Sequence, residues 1–279
     1  MSRTIKDFSF YLLTLFLTLT VVSVLYFIFR FIGVNGIPMI YDQLLGTTEK
    51  TVLSSKKLLP MITSTLLLTV TTLALTLPIA VSAAVYLHEY SGNNFIARTT
   101  RFCASTLASI PSIVYGLFGM LIFVRMIGFG ISIIAGAATL TAMLIPLIIT
   151  QTENALSQIP DSYREASASL GATRFETVSK VVIPNSLSGI LVAILLSTGR
   201  IVSESAALLF TVGTFVRMPV NRASGLLSIL ESGTTLTIRA LIEFREYGNV
   251  EAAAAIGVIT IGVVIMMNLA SRFVVWLLE

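Results

Sequence analysis

Residues 165–184 read EASASLGATRFETVSKVVIP, a polar interruption in a chain that is otherwise almost wholly apolar. The stretch carries Glu165, Arg174, Glu176 and Lys180, a run of small residues (Ala166, Ser167, Ala168, Ser169, Ala172), one glycine and a closing proline. Just upstream, Ser162 precedes Glu165 at the spacing of a capping box, in which a cap hydroxyl and a carboxylate three residues later satisfy each other's orphan N–H groups. Thr173 and Glu176 repeat that spacing. Gly171 stands where a helix would end, because glycine enters the left-handed region without a Cβ penalty. Tyr163, Ala166 and Leu170 fall on one helical face. The second helix is expected to stop before Pro184, which disfavours helical backbone at the preceding residue. The pattern predicts helix, glycine turn, helix, with side chains small enough for another protein to approach the backbone closely.

On either side of this segment the solvent is lipid. The chain has 279 residues, 55% hydrophobic and 11% charged, against about 25% charged in ordinary soluble domains. The net charge of +4 is spread out, with no basic tract to meet nucleic acid. Cys103 and His88 are the only cysteine and the only histidine, so a disulfide framework is excluded and zinc or Cys/His chemistry is argued against. Five runs contain no Asp, Glu, Lys or Arg: Phe8–Phe29, Leu58–His88, Phe102–Val124, Met126–Thr152 and Ala252–Ser271. Each reaches or approaches the roughly 20 residues that span a hydrocarbon core. A sixth, Leu187–Gly213, is interrupted only by Arg200 and Glu204. The expectation is an all-α membrane protein with six transmembrane helices and both termini on one side. The first run follows Arg3 and Lys6 as in a signal peptide. It is longer than such a segment and is followed by no small-residue cleavage site, so it reads as retained. Pro78, Pro111 and Pro146 lie inside runs, where neighbouring helices can re-satisfy the freed carbonyls. The chain divides into 1–61, a first span and external loop; 62–272, the main transmembrane domain with the polar segment at 160–185; and a tail, 273–279.

Charge does not orient the chain. With both termini inside, eight basic residues face the cytoplasm and nine, including Lys50, Arg217 and Arg222, face outward; only Arg3 and Lys6 favour that arrangement under the positive-inside rule. Two external segments, about 33–57 and 214–251, are long. In the second, Leu236, Ala240, Ile242 and Phe244 alternate with Arg239, Glu243 and Arg245. That pattern suits a short helix lying on the bilayer, or a docking or gating element at the mouth of a pathway. His88, Glu89 and Glu153 read as interfacial, Cys103 as packing, and Gly116 and Gly119 as points of close helix approach.

Arg200 and Glu204 stand apart. Four residues separate them, which puts both on one face of a continuous helix. Each charge costs about 3 kcal/mol at mid-bilayer. The twelve Leu, Ile, Val and Phe residues of Leu187–Phe210 return about 0.3–0.6 kcal/mol each. The span is near balance, so its charged face must look at protein or water. Two readings follow: a buried pair that fixes helix packing, or a pair that lines a passage.

Glu165-Ala166-Ser167, then Gly171, then Val181-x-Ile183-Pro184 resembles the EAA motif of ABC importer permeases, whose pattern is Glu-Ala-Ala, three residues, Gly, nine residues, Ile-x-Leu-Pro. Ser167, Val181 and Ile183 depart from it conservatively. The resemblance implies the type I, MetI-like fold and makes this segment the coupling helix, which docks into a groove of a cytoplasmic ATPase and is pushed when ATP closes the ATPase pair. It places the segment, and hence both termini, in the cytoplasm. The chain has no Gly-Lys-Ser/Thr phosphate loop; the resemblance implies a transport subunit rather than an enzyme, with ATP and Mg bound by a partner. SIPSIVYGLFGMLIF at 109–123, GRIVSESAALLFTVG at 199–213 and LPIAVSAAVYLHEYS at 77–91 are similar to the phosphate class of these permeases, PstA type. There the usual form near 199 is Gly-Arg-x-x-Gly-Glu-Thr-Ala-Pro-Leu-Leu-Phe-Thr. Arg200 and Glu204 keep their places, while Ser203, Ser205 and Ala207 replace Gly, Thr and Pro. The likeness covers about 63–272. It implies a phosphate importer in a bacterial or archaeal inner membrane, with a second permease of PstC type, two copies of a PstB-type ATPase and an external PstS-type phosphate-binding protein. An ABC permease for another oxyanion or small polar solute remains open. An ion-coupled carrier would explain the charged pair but not the coupling-type segment.

Overall fold

In hydrocarbon every backbone N–H and C=O must find its partner within the protein, and a helix does so within one segment. The computed structural model, which describes residues 2–44, 55–92, 94–215 and 229–278, contains helices and no strand among those residues. Eleven α-helical segments follow in order: α1 Ser2–Leu44, α2 Ser55–Val85, α3 Phe95–Ala108, α4 Ser112–Gly119, α5 Ile133–Ser157, α6 Asp161–Ser169, α7 Arg174–Thr177, α8 Ile183–Ser203, α9 Ala206–Thr211, α10 Leu236–Arg245 and α11 Val250–Leu278. Wider π-helical turns extend α2 (Tyr86–Tyr90) and α4 (Met120–Met126) and join α7 to α8 (Val178–Val182).

The α2–α5 pair forms the centre. Ser64, Thr65, Thr69, Thr72 and Thr76 make a buried hydroxyl stripe on α2. Most of its hydroxyls bond back to the preceding turn, as Thr69 Oγ1 does to Thr65 O at 2.7 Å, so they enter the core without a large desolvation cost. Thr76 also meets Thr141 of α5, hydroxyl to hydroxyl, at 3.1 Å. Leu140, Leu144 and Ile148 of α5 are fully buried against this pair. Helices α3, α4, α8 and α9 pack around α5. By contrast α1 lies on α11 and leaves Phe10–Phe31 exposed over most of its length, the surface expected of a lipid-facing helix. Small residues set the close approaches. A Cβ at Gly36 would come within 2.7 Å of the Ala254 backbone, and one at Gly116 within 2.8 Å of Ala207. One at Gly119 would meet the Thr139 side chain at 2.1 Å, so Gly116 and Gly119 do serve close approach.

Among the described residues five helices are long and apolar enough to cross a membrane, and a sixth crossing is counted if a bent pair is taken as one span. That pair, Phe95–Ala108 and Ser112–Met126, turns by 99°, where a straight span at Phe102–Val124 was expected. Pro111 is the cause: it caps α4 with ψ 139° and keeps Ile110 out of the helical region. Pro78 and Pro146 leave α2 and α5 unbroken. The span expected at Leu187–Gly213 is also interrupted, since α8 ends at Ser203 and Glu204 is extended, with ψ 128°. Pro184 does not stop a helix either. The π-turn at Val178–Val182 absorbs the missing N–H and the ring, and the helix runs on as α8 with the proline in its first turn.

Helix α10 packs one face into the helix bundle. Leu236 and Ile238 are fully buried, and Ile242 and Glu243 nearly so, because this face of the helix is covered by α11 and the core, while Phe244 and Arg245 stay exposed. Cys103 is exposed rather than packed. Residues 45–54 and 216–228 of the two external segments, with Lys50, Arg217 and Arg222, lie outside the described residues.

Candidate functional site

The polar segment folds as helix, turn, helix. Pro160 occupies the cap of α6, so the helix begins at Asp161, and Ser162 falls inside the first turn. The expected Ser162–Glu165 capping box is therefore not formed. Gly171 has φ +83°, which reverses the chain. The second box is present: Thr173 N donates to Glu176 Oε2 at 3.0 Å and Glu176 N to Thr173 Oγ1 at 3.3 Å. Ser167 is buried and meets Thr177, hydroxyl to hydroxyl, at 2.8 Å, folding α6 onto α7. Glu165 and Ala166 face outward. So do three large apolar side chains, Tyr163, Leu170 and Phe175, exposed by 49, 89 and 72%. Together they form an exposed apolar patch beside Gly171. Val181 is half-buried in the π-turn and Pro184 exposed at the start of α8.

Behind this face the segment is bolted to the end of α2. The π-turn Tyr86–Tyr90 ends α2 and turns Leu87 and Glu89 inward. Glu89, read from sequence as interfacial, is 6% exposed. Arg164 of α6 donates to it twice, Nη2 to Oε1 at 2.7 Å and Nε to Oε2 at 3.3 Å. The same guanidinium reaches Leu156 O in the last turn of α5 at 3.3 Å, Ile159 O just beyond that helix at 2.9 Å, and Asp161 at 3.1 Å. The hydrogen bond to Glu89 holds the Arg164 pKa above its ordinary value, followed by the attraction of both carboxylates. Arg174 donates to the Glu89 carbonyl and lies over the Tyr90 ring, 5.3 Å from its centroid. Arg101 of α3 joins Glu153 of α5 at 2.9 Å to Leu87 O at 3.1 Å. His88 Nδ1 lies 3.0 Å from Glu89 Oε1. Three guanidiniums thus close the open end of α2, each by a charge-assisted bond.

The second place is the break after α8. Arg200 and Glu204 were expected on one helical face; the helix ends between them, and no ion pair joins them among the described residues. Glu204 Oε1 instead accepts from Ala206 N at 3.1 Å and Ala207 N at 3.2 Å, capping α9. Its carbonyl accepts from Thr237 Oγ1 of α10 at 3.1 Å. Arg200 is exposed and stands within electrostatic reach of Tyr115 on α4. The Arg–Glu pair at helical spacing occurs elsewhere, on α10, between Arg239 and the buried Glu243, with Tyr247 beneath the guanidinium.

The family described as binding-protein-dependent transport system inner membrane component matches residues 76–276, from the middle of α2 almost to the end of α11. The chain belongs to this family. Among curated relatives of this inner membrane component, a probable ABC transporter permease, YqgI of Bacillus subtilis, is 34% identical over 69% of the chain and 66% of its own length. A probable phosphate transport system permease protein PstA of Methanocaldococcus jannaschii is 35% identical over 76% of the chain and 74% of its length. The PstA protein of Pasteurella multocida is 41% identical over 53% of the chain, and the match spans about half of that relative, 52%. Solved structures share the fold. A chain of the inward-facing MetNI methionine ABC transporter superimposes with a TM-score of 0.61 at 22% identity, over 82% of this chain and all of that one. A chain of a bacterial alginate ABC transporter gives 0.69 at 14% identity, over 94 and 92%.

In this inner membrane component the sequence pattern marks the outward residues of the segment and the inward Ser167, but not the inward guanidiniums or their partners. Glu89 and Glu153 read from sequence as interfacial, and Arg101, Arg164 and Arg174 as cytoplasmic charges without assigned partners. A signal was present: Glu89 follows a 31-residue run without Asp, Glu, Lys or Arg, and charges so placed need partners. Which charge each would meet was not readable, because Arg164 is 75 residues away.

Proposed function

We propose that this chain is a permease subunit of an ATP-driven phosphate importer and forms the translocation path with a second permease of PstC type. The observation that carries this reading is the outward ridge of Tyr163, Leu170 and Phe175 on the segment that bears Glu165, Ala166 and Gly171. An apolar ridge on a rigid support suits a groove on a separate ATPase, which supplies the ATP and Mg chemistry. The PstA names of several relatives support phosphate as the cargo, delivered by an external PstS-type binding protein. The segment and both termini then lie in the cytoplasm.

Within the membrane Arg200 is the group suited to an oxyanion, since a guanidinium offers paired donors and compensating charge. Glu204 does not neutralise it; the carboxylate is engaged with the backbone of α9. Binding must still be weak enough for release, and an exposed, hydrated arginine meets that condition better than a buried one. Ser203, Ser205 and Ala207 beside this site depart from the phosphate-class pattern, which keeps another oxyanion as the second reading.

The test is purification in mild detergent with the sister permease, the ATPase and the binding protein, followed by uptake into liposomes. ATP-dependent phosphate uptake, competed by arsenate and not by sulfate or molybdate, is expected. Uptake of sulfate or molybdate in preference to phosphate would favour the second reading, and a chain that purifies without any ATPase would sink both.

A further inference from the structure

We propose that Glu89, Arg164 and Arg174 are positioning residues that join the coupling helix α6 and the cytoplasmic end of α2 into one rigid body, so that displacement of α6 is delivered to α2. The inference rests on the reading of α6 as the ATPase-docking element and adds the route by which its motion leaves the segment.

The backbone of α6 packs mainly on α7 and the π-turn that follows it. Between α6 and the end of α2 lies a cavity of about 230 Å³, lined in part by Glu89, Arg164, Ala168 and Arg174. Little apolar packing therefore holds these elements together, and the polar bonds carry the connection. They suit the task. The Glu89–Arg164 contact is two-pronged, which fixes angle as well as distance. Arg174 adds a third bond, to the Glu89 carbonyl, from the far side of the Gly171 turn. The two helices of the segment thus grip the same residue. Burying such charges gains little stability over an apolar packing of similar volume, so the arrangement is better explained by geometry than by folding energy.

The far end of α2 is tied to the break after α8. From Glu89 to Thr65 the helix covers about 36 Å at 1.5 Å per residue. There Thr65 Oγ1 accepts from Leu236 N, the first residue of α10, at 3.1 Å. On the next residue, Thr237 Oγ1 donates to the carbonyl of Glu204, at the break after α8. A continuous series of bonds therefore runs from α6 through α2 and α10 to Glu204, at the break four residues after Arg200. Coupling along this route is read by motion and by stoichiometry.

The experiment uses the complete transporter with ATPase, sister permease and binding protein in liposomes, reading ATP hydrolysed per phosphate taken up. Glu89→Gln and Arg164→Lys, which remove a charge and the fork respectively, are expected to keep the ATPase bound and hydrolysing while phosphate uptake falls at least tenfold, so that the ATP cost per phosphate rises by the same factor. An unchanged ratio in both variants would overturn the proposal. A purely structural role predicts loss of the complex without a change of ratio in what survives. The second measurement needs neither variant. Spin labels on Tyr86→Cys and Ser169→Cys, in a Cys103→Ala background, report the distance between α2's end and α6. It should stay the same in the nucleotide-free and ATP-bound complexes; a change on ATP binding would show two bodies moving separately and refute the link. If the unaltered complex fails to take up phosphate at all, the fault lies with the proposed function, since the labelled distance can still be read.

Discussion

Gly171→Ala isolates backbone conformation from every other property of the coupling turn. Gly171 has φ +83°, and a Cβ built there meets nothing within 4 Å. No steric contact with a neighbour enters, so the effect is the cost of holding an L-residue in the left-handed region, about 1–2 kcal/mol. That is roughly a 5–30-fold change in the population of a two-state turn. The turn sets the angle between α6 and α7, and with it the placement of the exposed Leu170 and Phe175 on the proposed docking ridge. ATPase affinity for detergent-solubilised complexes should therefore fall by about 5–30-fold, measured by titrating the ATPase onto immobilised permease. Gly171→Asn is the control, because asparagine enters this region with less penalty; it should recover most of the loss although its side chain is larger. If Asn binds as weakly as Ala, or more weakly, the argument from φ fails and the side chain itself obstructs docking. If both bind like the parent, the turn is not part of the docking face.

Other outcomes follow from the same geometry. Arg200→Ala should abolish uptake while leaving the ATPase bound, whereas Glu204→Gln, which keeps an acceptor for Ala206 and Ala207, should preserve the fold; restored uptake in an Arg200→Met, Glu204→Leu protein would count against a pathway role. Gly116→Val places a side chain 2.8 Å from the Ala207 backbone, an overpacking cost of about 1–3 kcal/mol, and thermal unfolding in detergent should shift down by several degrees; an unshifted transition would mean that α4 and α9 separate freely. For topology, a cysteine at Ser169 should react only with reagent added from the cytoplasm and one at Glu246 only from outside, in a Cys103→Ala background. The reverse pattern would invert the arrangement and remove α6 from reach of an ATPase.

Features governed by local chemistry were legible in the sequence. Six long apolar runs become membrane-length helices, whole or broken, because hydrocarbon leaves the backbone few other ways to satisfy itself. The Gly171 turn and the Thr173–Glu176 box depend on residues within a few positions of one another. The family pattern rests on the spacing from Glu165 to Pro184, which survives although Pro184 continues a helix instead of ending one. What failed was decided partly by near neighbours and mostly at a distance. Ser162 lost its capping role to Pro160 next door, but Glu204 left the helical face because its carboxylate serves α9 and its carbonyl serves α10. An amphipathic pattern such as that of α10 is the same whether its charges meet water or pair with each other under a neighbouring helix, and only the packing of α11 selects burial. The joint at Glu89 is the clearest case. Composition and spacing determined that a helix crosses the membrane and ends near His88. That its last carboxylate is buried, gripped from α6 by Arg164 and through its carbonyl by Arg174, was set by the tertiary structure alone, since a charge leaves water only when a partner from elsewhere in the chain arrives to compensate it.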